Sequence, residues 1–377
     1  MIKRLICAAL AAALLLGFSG CGKEEKAVNI SSITLSENNL KRAKAEIDEA
    51  LNEADFCGGV YVKLNKNIIY KDYRGYEDEG KKKEIDGKTR YQFSSLTKNM
   101  TGIAVLQLAD EGKLSLDDTL DKFFEVTKKR SYLKNVTVNQ LLSVEVSLGV
   151  YPSELIDGKE NEKKAAKALK KKGALKKLIT EHILDNGYGN EATDAHSNYY
   201  ILGLIIEKVS GESYEDYLQK NIFDKLRMTE TEVVSDKRPL SGYNVDKKEW
   251  RDENTSPLFN NMEFMFSSFG VTSTICDMEK FYDAILDNTL TKTNLLDEIE
   301  SFNSGYGYGF KHDGKNLFTY GGTSLHTAYA YINTETRELA LLCSNRTGKI
   351  RINDTGKAVY NAVNSKINGM LLDKNGN

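Results

Sequence analysis

Ser95 and Lys98 stand three residues apart in the stretch Tyr91-Gln92-Phe93-Ser94-Ser95-Leu96-Thr97-Lys98, at the head of a run that continues helically through Met100, Ile103, Leu106 and Leu108. On a helix that spacing puts both side chains on one face, with Cβ atoms about 5–6 Å apart. The amine can then reach the hydroxyl. A serine hydroxyl becomes a useful nucleophile when a base accepts its proton, and a buried lysine with a lowered pKa can be that base. The helix N-terminus adds a field favourable to anionic groups. The chemistry implied is nucleophilic catalysis by the serine hydroxyl. Alone the pair is a weak signal, because a serine three before a lysine arises by chance in most chains of this length.

The flanking elements must hold that pair in place. Ser36 can cap a helix whose apolar positions Leu40, Ala43, Ile47, Ala50, Leu51 and Ala54 share a face. Gly59 to Leu64 and Ile68 to Tyr73 read as a hairpin turning at Asn65-Lys66-Asn67. Helical periodicity returns from Thr97 to Glu111 and from Asn198 to Val209. Thr327 to Ile332 and Leu339 to Ser344 have strand character, and Ala358 to Leu372 offers a last amphipathic helix. This order of sheet, helices and sheet requires the chain ends to meet if one sheet collects strands from both halves. It predicts an α+β fold with a helical part inserted between the two sheet-forming segments.

Several motifs then fall in order: Phe93-Ser94-Ser95-Leu96-Thr97-Lys98, Glu111-Gly112-Lys113-Leu114-Ser115-Leu116-Asp117-Asp118, and Leu202-Gly203-Leu204-Ile205-Ile206-Glu207-Lys208-Val209-Ser210-Gly211. Ser273-Thr274 with Asp277, and Tyr306-Gly307-Tyr308-Gly309-Phe310, follow them. From about residue 58 to 345 the chain resembles the serine β-lactamase and penicillin-binding-protein family, in its class C β-lactamase, D-alanyl-D-alanine carboxypeptidase and esterase branch. The resemblance implies a β-lactamase-like fold, an antiparallel sheet flanked by helices with an inserted helical domain. The sheet part would be about 36–90 and 290–377, the helical part about 91–289, and the active site the cleft between them. It implies Ser95 as nucleophile and Lys98 as base.

Three motifs depart from the family pattern. The second family motif is Tyr-x-Asn. Aligning His196-Ser197-Asn198 keeps the asparagine but needs a two-residue gap in the following helix, which would rotate that helix by about 200°. The ungapped placement is preferred, and it puts Asp194 at the tyrosine and His196 at the asparagine. A carboxylate near Lys98 would hold the amine protonated. His196 is a suitable alternative base if it reaches Ser95, with Asp194 orienting it. The third motif, usually Lys or His then a small residue and Gly, reads Tyr320-Gly321-Gly322, which would bind substrate on its strand without a cation. The family's Leu-Leu-x-His-x-Ser-Gly reads Leu141-Leu142-Ser143-Val144-Glu145-Val146-Ser147. Two functional readings follow. One is an exported serine hydrolase forming an acyl-enzyme on a small-molecule or peptidoglycan-like amide or ester. The other is a degenerate member that binds a cell-wall fragment or protein partner without turnover.

Composition narrows the rest. The 377 residues are 40% hydrophobic and 28% charged, as in globular proteins, with a formal charge of -2 that suggests no nucleic-acid partner. Five cysteines without a C-x-x-C pair, and no His/Asp/Glu spacing typical of a metal site, imply neither a metal nor a cofactor. Cys57 and Cys343 lie on strands the family fold sets side by side, where two free thiols or a disulfide are both open. His182 and His312 read as surface residues. The nine lysines from Lys159 to Lys177 read either as a solvated helix face or as a contact to an anionic surface.

At the N-terminus, Lys3 and Arg4 precede the apolar run Leu5 to Leu16, then Gly17-Phe18-Ser19-Gly20 and Cys21. Twelve apolar residues are too few to span a bilayer, which takes about twenty. The pattern resembles a bacterial lipoprotein signal. Residues 1–20 are expected to be removed, Cys21 lipidated, 21–35 to act as a tether and 36–377 to form the folded domain on the outer face of a membrane. Cys21→Ala should therefore leave an unprocessed precursor or a freely soluble exported protein. Unchanged membrane association in cell fractionation would contradict the lipid anchor.

Overall fold

The computed structural model describes residues 35–374, apart from 79, 81–82, 127, 149–158, 172, 187–194, 234–240, 245–247, 253–261, 324 and 348–350. The signal segment, Cys21 and Asp194 lie outside the described residues. The main sheet has seven strands: β1 (Gly58–Leu64), β2 (Asn67–Arg74), β3 (Tyr306–Gly307), β4 (Phe310–Asp313), β5 (Asn316–Gly322), β6 (Thr327–Asn333) and β7 (Glu338–Ser344). Their spatial order is β2-β1-β7-β6-β5-β4-β3, and every pairing is antiparallel. The β1–β2 hairpin turns at Asn65, whose φ of 53° is one asparagine tolerates. β1 pairs with β7 from Gly58↔Ser344 to Leu64↔Glu338, which joins the two halves of the chain.

Helix α1 (Glu37–Glu53) begins as its cap predicts, with Ser36 Oγ accepting the Asn39 N–H at 3.2 Å. It packs beside the final helix, Ile352–Lys374. Ala43, Ile47 and Leu51 join Val359, Val363 and Ile367 over one sheet face, against Val60, Val62, Tyr331 and Leu342. The alternate residues Tyr61, Ala330, Leu341 and Cys343 face the larger core on the other side. Strands covered on both faces lose their polar alternation, as the sequence of β7, Glu-Leu-Ala-Leu-Leu-Cys-Ser, illustrates. The α+β architecture expected from the sequence is the one observed.

Two further helices position the cleft: α2 (Thr97–Asp110) and α3 (His196–Ser210). Every residue of α2 from Thr97 to Leu108 is buried, so its polar side chains need partners inside the protein. Asn99 donates to the Tyr308 carbonyl at 3.2 Å and accepts from the Tyr282 hydroxyl at 3.0 Å. Thr101 donates to the Ser267 carbonyl at 2.6 Å. The lysine-rich stretch forms two helices, Lys159–Ala168 and Ala174–Asn186, separated at Gly173 with φ 78°. Ala165, Leu175 and Ile179 enter the core while Lys163, Lys167, Lys171 and Lys177 face solvent. Cys57, Cys276 and Cys343 are free thiols. His182 and His312, expected at the surface, are half-buried.

Gly203 marks the closest approach of α3 to the segment Met262–Phe269. A Cβ there would lie 2.1 Å from Ser267 Oγ and 2.7 Å from Phe266 Cε1. Helix propensity alone would make Gly203→Ala stabilising by about 1 kcal/mol. Overpacking should reverse the sign, giving a net loss of about 1–3 kcal/mol and a lower Tm by calorimetry. A raised Tm would show that α3 and its neighbour can separate freely.

Candidate active site

Strand Arg90–Gln92 pairs antiparallel with Val271–Thr274 and leads through a tight turn at Ser94–Leu96 into α2. Backbone and side-chain hydrogen bonds fix this passage. Phe93 N–H donates to the Val271 carbonyl at 3.0 Å, Val271 N–H to Thr97 Oγ1 at 3.0 Å, and Gln92 N–H to His326 Nδ1 at 3.2 Å. His326 is buried, and its Nε2 lies 3.1 Å from the Ser241 carbonyl. With Nδ1 accepting, Nε2 carries the proton. Ser94 sits at φ 50°, a region few residues with side chains occupy, and its hydroxyl donates to the Gly322 carbonyl at 3.2 Å. Such strain persists only where the surroundings over-determine it, and here two strands and a helix do so.

Lys98 Nζ donates to Ser95 Oγ at 2.9 Å, although Lys98 is only 3% exposed. The i, i+3 spacing thus brings the pair together. His196, the first residue of α3, places Nδ1 3.5 Å from Lys98 Nζ, with its ring edge-on to Phe269. Burial, reinforced by the Lys98 charge, pushes the His196 pKa down to about 2. The two groups therefore share no more than one proton. Asn198, the residue of the gapped placement, does not line the cleft. Its amide donates to the Leu141 and Val146 carbonyls at 3.2 and 2.6 Å and accepts from Leu148 N–H at 3.0 Å. It ties α3 to the segment that departs from the family's Leu-Leu-x-His-x-Ser-Gly pattern.

On β5, a Cβ added to Gly321 would lie 2.5 Å from Ser95 N and 3.0 Å from Ser95 Cβ, so the strand reaches the serine only because residue 321 is glycine. Tyr320, the preceding residue, is 43% exposed and lines the same cavity as Ser95. Lys311, on β4, holds its Nζ 5.3 Å from the centre of the Tyr320 ring. Sequence reasoning did not single out Lys311, since its place depends on strand register. Together Ser95, Lys98, Ser143, His196, Lys311 and Tyr320 line a cavity of about 470 Å³. Among the described residues no cluster of His, Cys, Asp and Glu is arranged to hold a metal. The cleft offers a hydroxyl, an amine and a neutral imidazole in a row, with a strand backbone against the hydroxyl.

Known proteins share this arrangement of elements. Over 223 residues the chain is 29% identical to "Protein flp" of Staphylococcus aureus (strain COL), a match covering 56% of this chain and 42% of that protein. It is 24% identical over 274 residues to the "Teichoic acid D-alanine hydrolase" of Staphylococcus aureus, covering 70% and 64% respectively. The chain thus spans less than two thirds of the length of these curated relatives. The crystal structure of FmtA from Staphylococcus aureus superposes with a TM-score of 0.71 at 20% identity, over 88% of this chain and 92% of that one. D-amino acid amidase from Ochrobactrum anthropi SV3 superposes at 0.68 and 19% identity, over 87% and 99%. These two likenesses concern the fold. The Beta-lactamase family model matches residues 47–363, the whole span from α1 to the last helix that builds both walls of the cleft, and the chain therefore belongs to the β-lactamase family.

Proposed function

We propose that the chain is an exported, lipid-anchored serine hydrolase that acts on an amide or ester derived from the cell wall through an acyl-enzyme on Ser95. The observation that carries this reading is the 2.9 Å hydrogen bond between Lys98 Nζ and Ser95 Oγ inside the cleft. Similarity to a teichoic acid D-alanine hydrolase and to a D-amino acid amidase supports a D-amino acyl group as the part transferred. Anchoring in this proposal rests on Cys21; among the described residues no helix is long and apolar enough to cross a membrane.

The reaction begins with Ser95 Oγ attacking the substrate carbonyl while its proton passes to the unprotonated Lys98 amine. The Oγ–C bond forms and charge develops on the carbonyl oxygen. Backbone N–H groups near Ser95, where β5 comes close at Gly321, are the candidates to stabilise that charge in this proposal. Collapse breaks the bond to the amine or alkoxide, which takes the proton from Lys98. Water then attacks the ester and gives its proton to the same amine, and the Oγ–C bond breaks to release the acid as Lys98 returns that proton to Ser95 Oγ. His196, neutral beside Lys98, accepts a hydrogen bond from Nζ and orients it. Asp194, which lies outside the described residues, stays in the proposal as the group that orients His196, and Tyr320, Gly321 and Gly322 as the substrate-binding edge.

Mass spectrometry of the intact protein after exposure to a fluorophosphonate and to a penicillin tests this reading. One adduct is expected on Ser95, none on Ser95→Ala, and acylation of Lys98→Ala slower by about 10²- to 10⁴-fold. No adduct on the unaltered protein would leave the cleft a binding site without turnover.

A pH dependence follows from the histidines. Burial lowers His326 to about 4 and, with the Lys98 charge, His196 to about 2, against 6.5 in the unfolded chain. The unfolded chain binds more protons between those values, so stability is full above about 6.5 and falls as the pH drops, by up to about 1.4 kcal/mol per unit for each histidine. The urea midpoint should therefore be lower at pH 5 than at pH 7. A midpoint that does not move would mean that both imidazoles are protonated in the fold.

A further inference from the structure

We propose that Lys311 and Tyr320 form an anion-selecting rim of the cleft, with Lys311 meeting a carboxylate or phosphate oxygen that the substrate carries beyond its reacting bond. This rests on the reading of the cleft as a hydrolase site and adds to it the class of molecule that enters.

Lys311 lies directly across from Phe318 in the β4–β5 register, so its side chain shares a face with Phe318 and, one alternation further, with Tyr320. Its ammonium rests over the Tyr320 ring at 5.3 Å. That contact fixes the cation without neutralising it, as a carboxylate partner would. No carboxylate among the described residues forms an ion pair with Lys311, whereas Lys315, four residues on, is held by Glu300 at 2.8 Å. The other amine of the cavity, Lys98, is engaged with Ser95 and His196. Lys311 is thus a cation of the cavity wall with capacity for an anion.

Tyr320 strengthens the case. It is one of three large apolar side chains left exposed among the described residues, with Ile68 and Tyr132, and it alone of these lines the cavity. An aromatic face beside a fixed ammonium suits a ligand with a short apolar body and one charged oxygen group. A lysine meets such an oxygen as a point charge, tolerant of its geometry. A charge at the mouth of a low-dielectric cleft also raises the local concentration of oppositely charged substrate. Tyr320, the strand residue that lacks a cation of its own, thus acquires one from the neighbouring strand.

The test compares three esters with the same acyl and leaving groups: one neutral, one bearing a carboxylate and one bearing a phosphate. The readout is the ratio of kcat/KM for each anionic ester to that for the neutral one. The full protein should favour at least one anionic ester. Lys311→Ala should reduce that ratio about tenfold, Lys311→Glu should reverse it, and Lys311→Arg should keep most of it. The ester with the larger loss identifies the anion. Raised salt should shrink the ratio in the unaltered protein more than in Lys311→Ala. A ratio lowered by less than about threefold in Lys311→Ala overturns the proposal. If no ester is turned over, the hydrolase reading fails by itself. The rim is then judged by calorimetric binding of glycerol phosphate and of N-acetyl-D-alanine to Ser95→Ala protein, with and without Lys311→Ala. A loss of affinity of about threefold or more for either probe supports it, and a smaller change for both overturns it.

Discussion

Burying the Lys98 amine removes its hydration, and a buried amine must find hydrogen-bond partners in the protein or shed its charge. The cleft is built around that demand. α2 is buried from Thr97 to Leu108, and the groups brought to the amine include Ser95 from its own first turn and His196 from the head of α3. Each supplier is in turn pinned elsewhere. The Ser95 turn is held by Val271, Thr97 and the β5 glycine, and α3 by the Asn198 amide and by the Tyr199 hydroxyl, which donates to the Leu142 carbonyl at 2.9 Å.

Features set by local rules were legible in the sequence. The cap at Ser36, the asparagine turn of the first hairpin and the helical periods of α2 and α3 depend on residues within a few positions of one another. The nearness of Ser95 and Lys98 belongs to the same class, since one helical turn decides it. His196 was reached by a less direct route: keeping the apolar face of α3 in phase argues against a gap and puts residue 196 in the motif, and its ring stands beside Lys98. Lys311 could not be found that way. Its position follows from the pairing of Phe318 with Lys311, and a four-residue strand carries too little pattern to declare its register. Asn198 was hidden for a related reason, since its three backbone partners lie about fifty residues away.

The contrast between conserved architecture and altered side chains has a physical basis. The fold of this chain depends on close packing at a few glycines and on satisfied polar groups around α2. Gly203, Gly321, Asn99 and Thr101 meet those needs here. The groups that face the cavity are not constrained by packing in the same way. An imidazole, a phenol ring and an ammonium from another strand can occupy the wall without disturbing the sheet behind it. Chemistry and selectivity can therefore change while the frame remains.

The pairing of β1 with β7 bears on how the chain reaches its structure. Gly58 lies opposite Ser344, and α1 packs beside the helix that closes the chain, so the centre of the sheet joins its first and last strands. Closing so long a loop is entropically expensive and slow. Until the final strand is available, β1 presents an unpaired edge and the apolar face of α1 lacks its partners from the last strands and the last helix. An incompletely synthesised chain lacks both the central pairing of the sheet and the Tyr308 carbonyl that receives Asn99 of α2. The whole fold is committed only when the last seventy or so residues arrive, and any factor that shields a nascent chain would have the β1 edge as its main object.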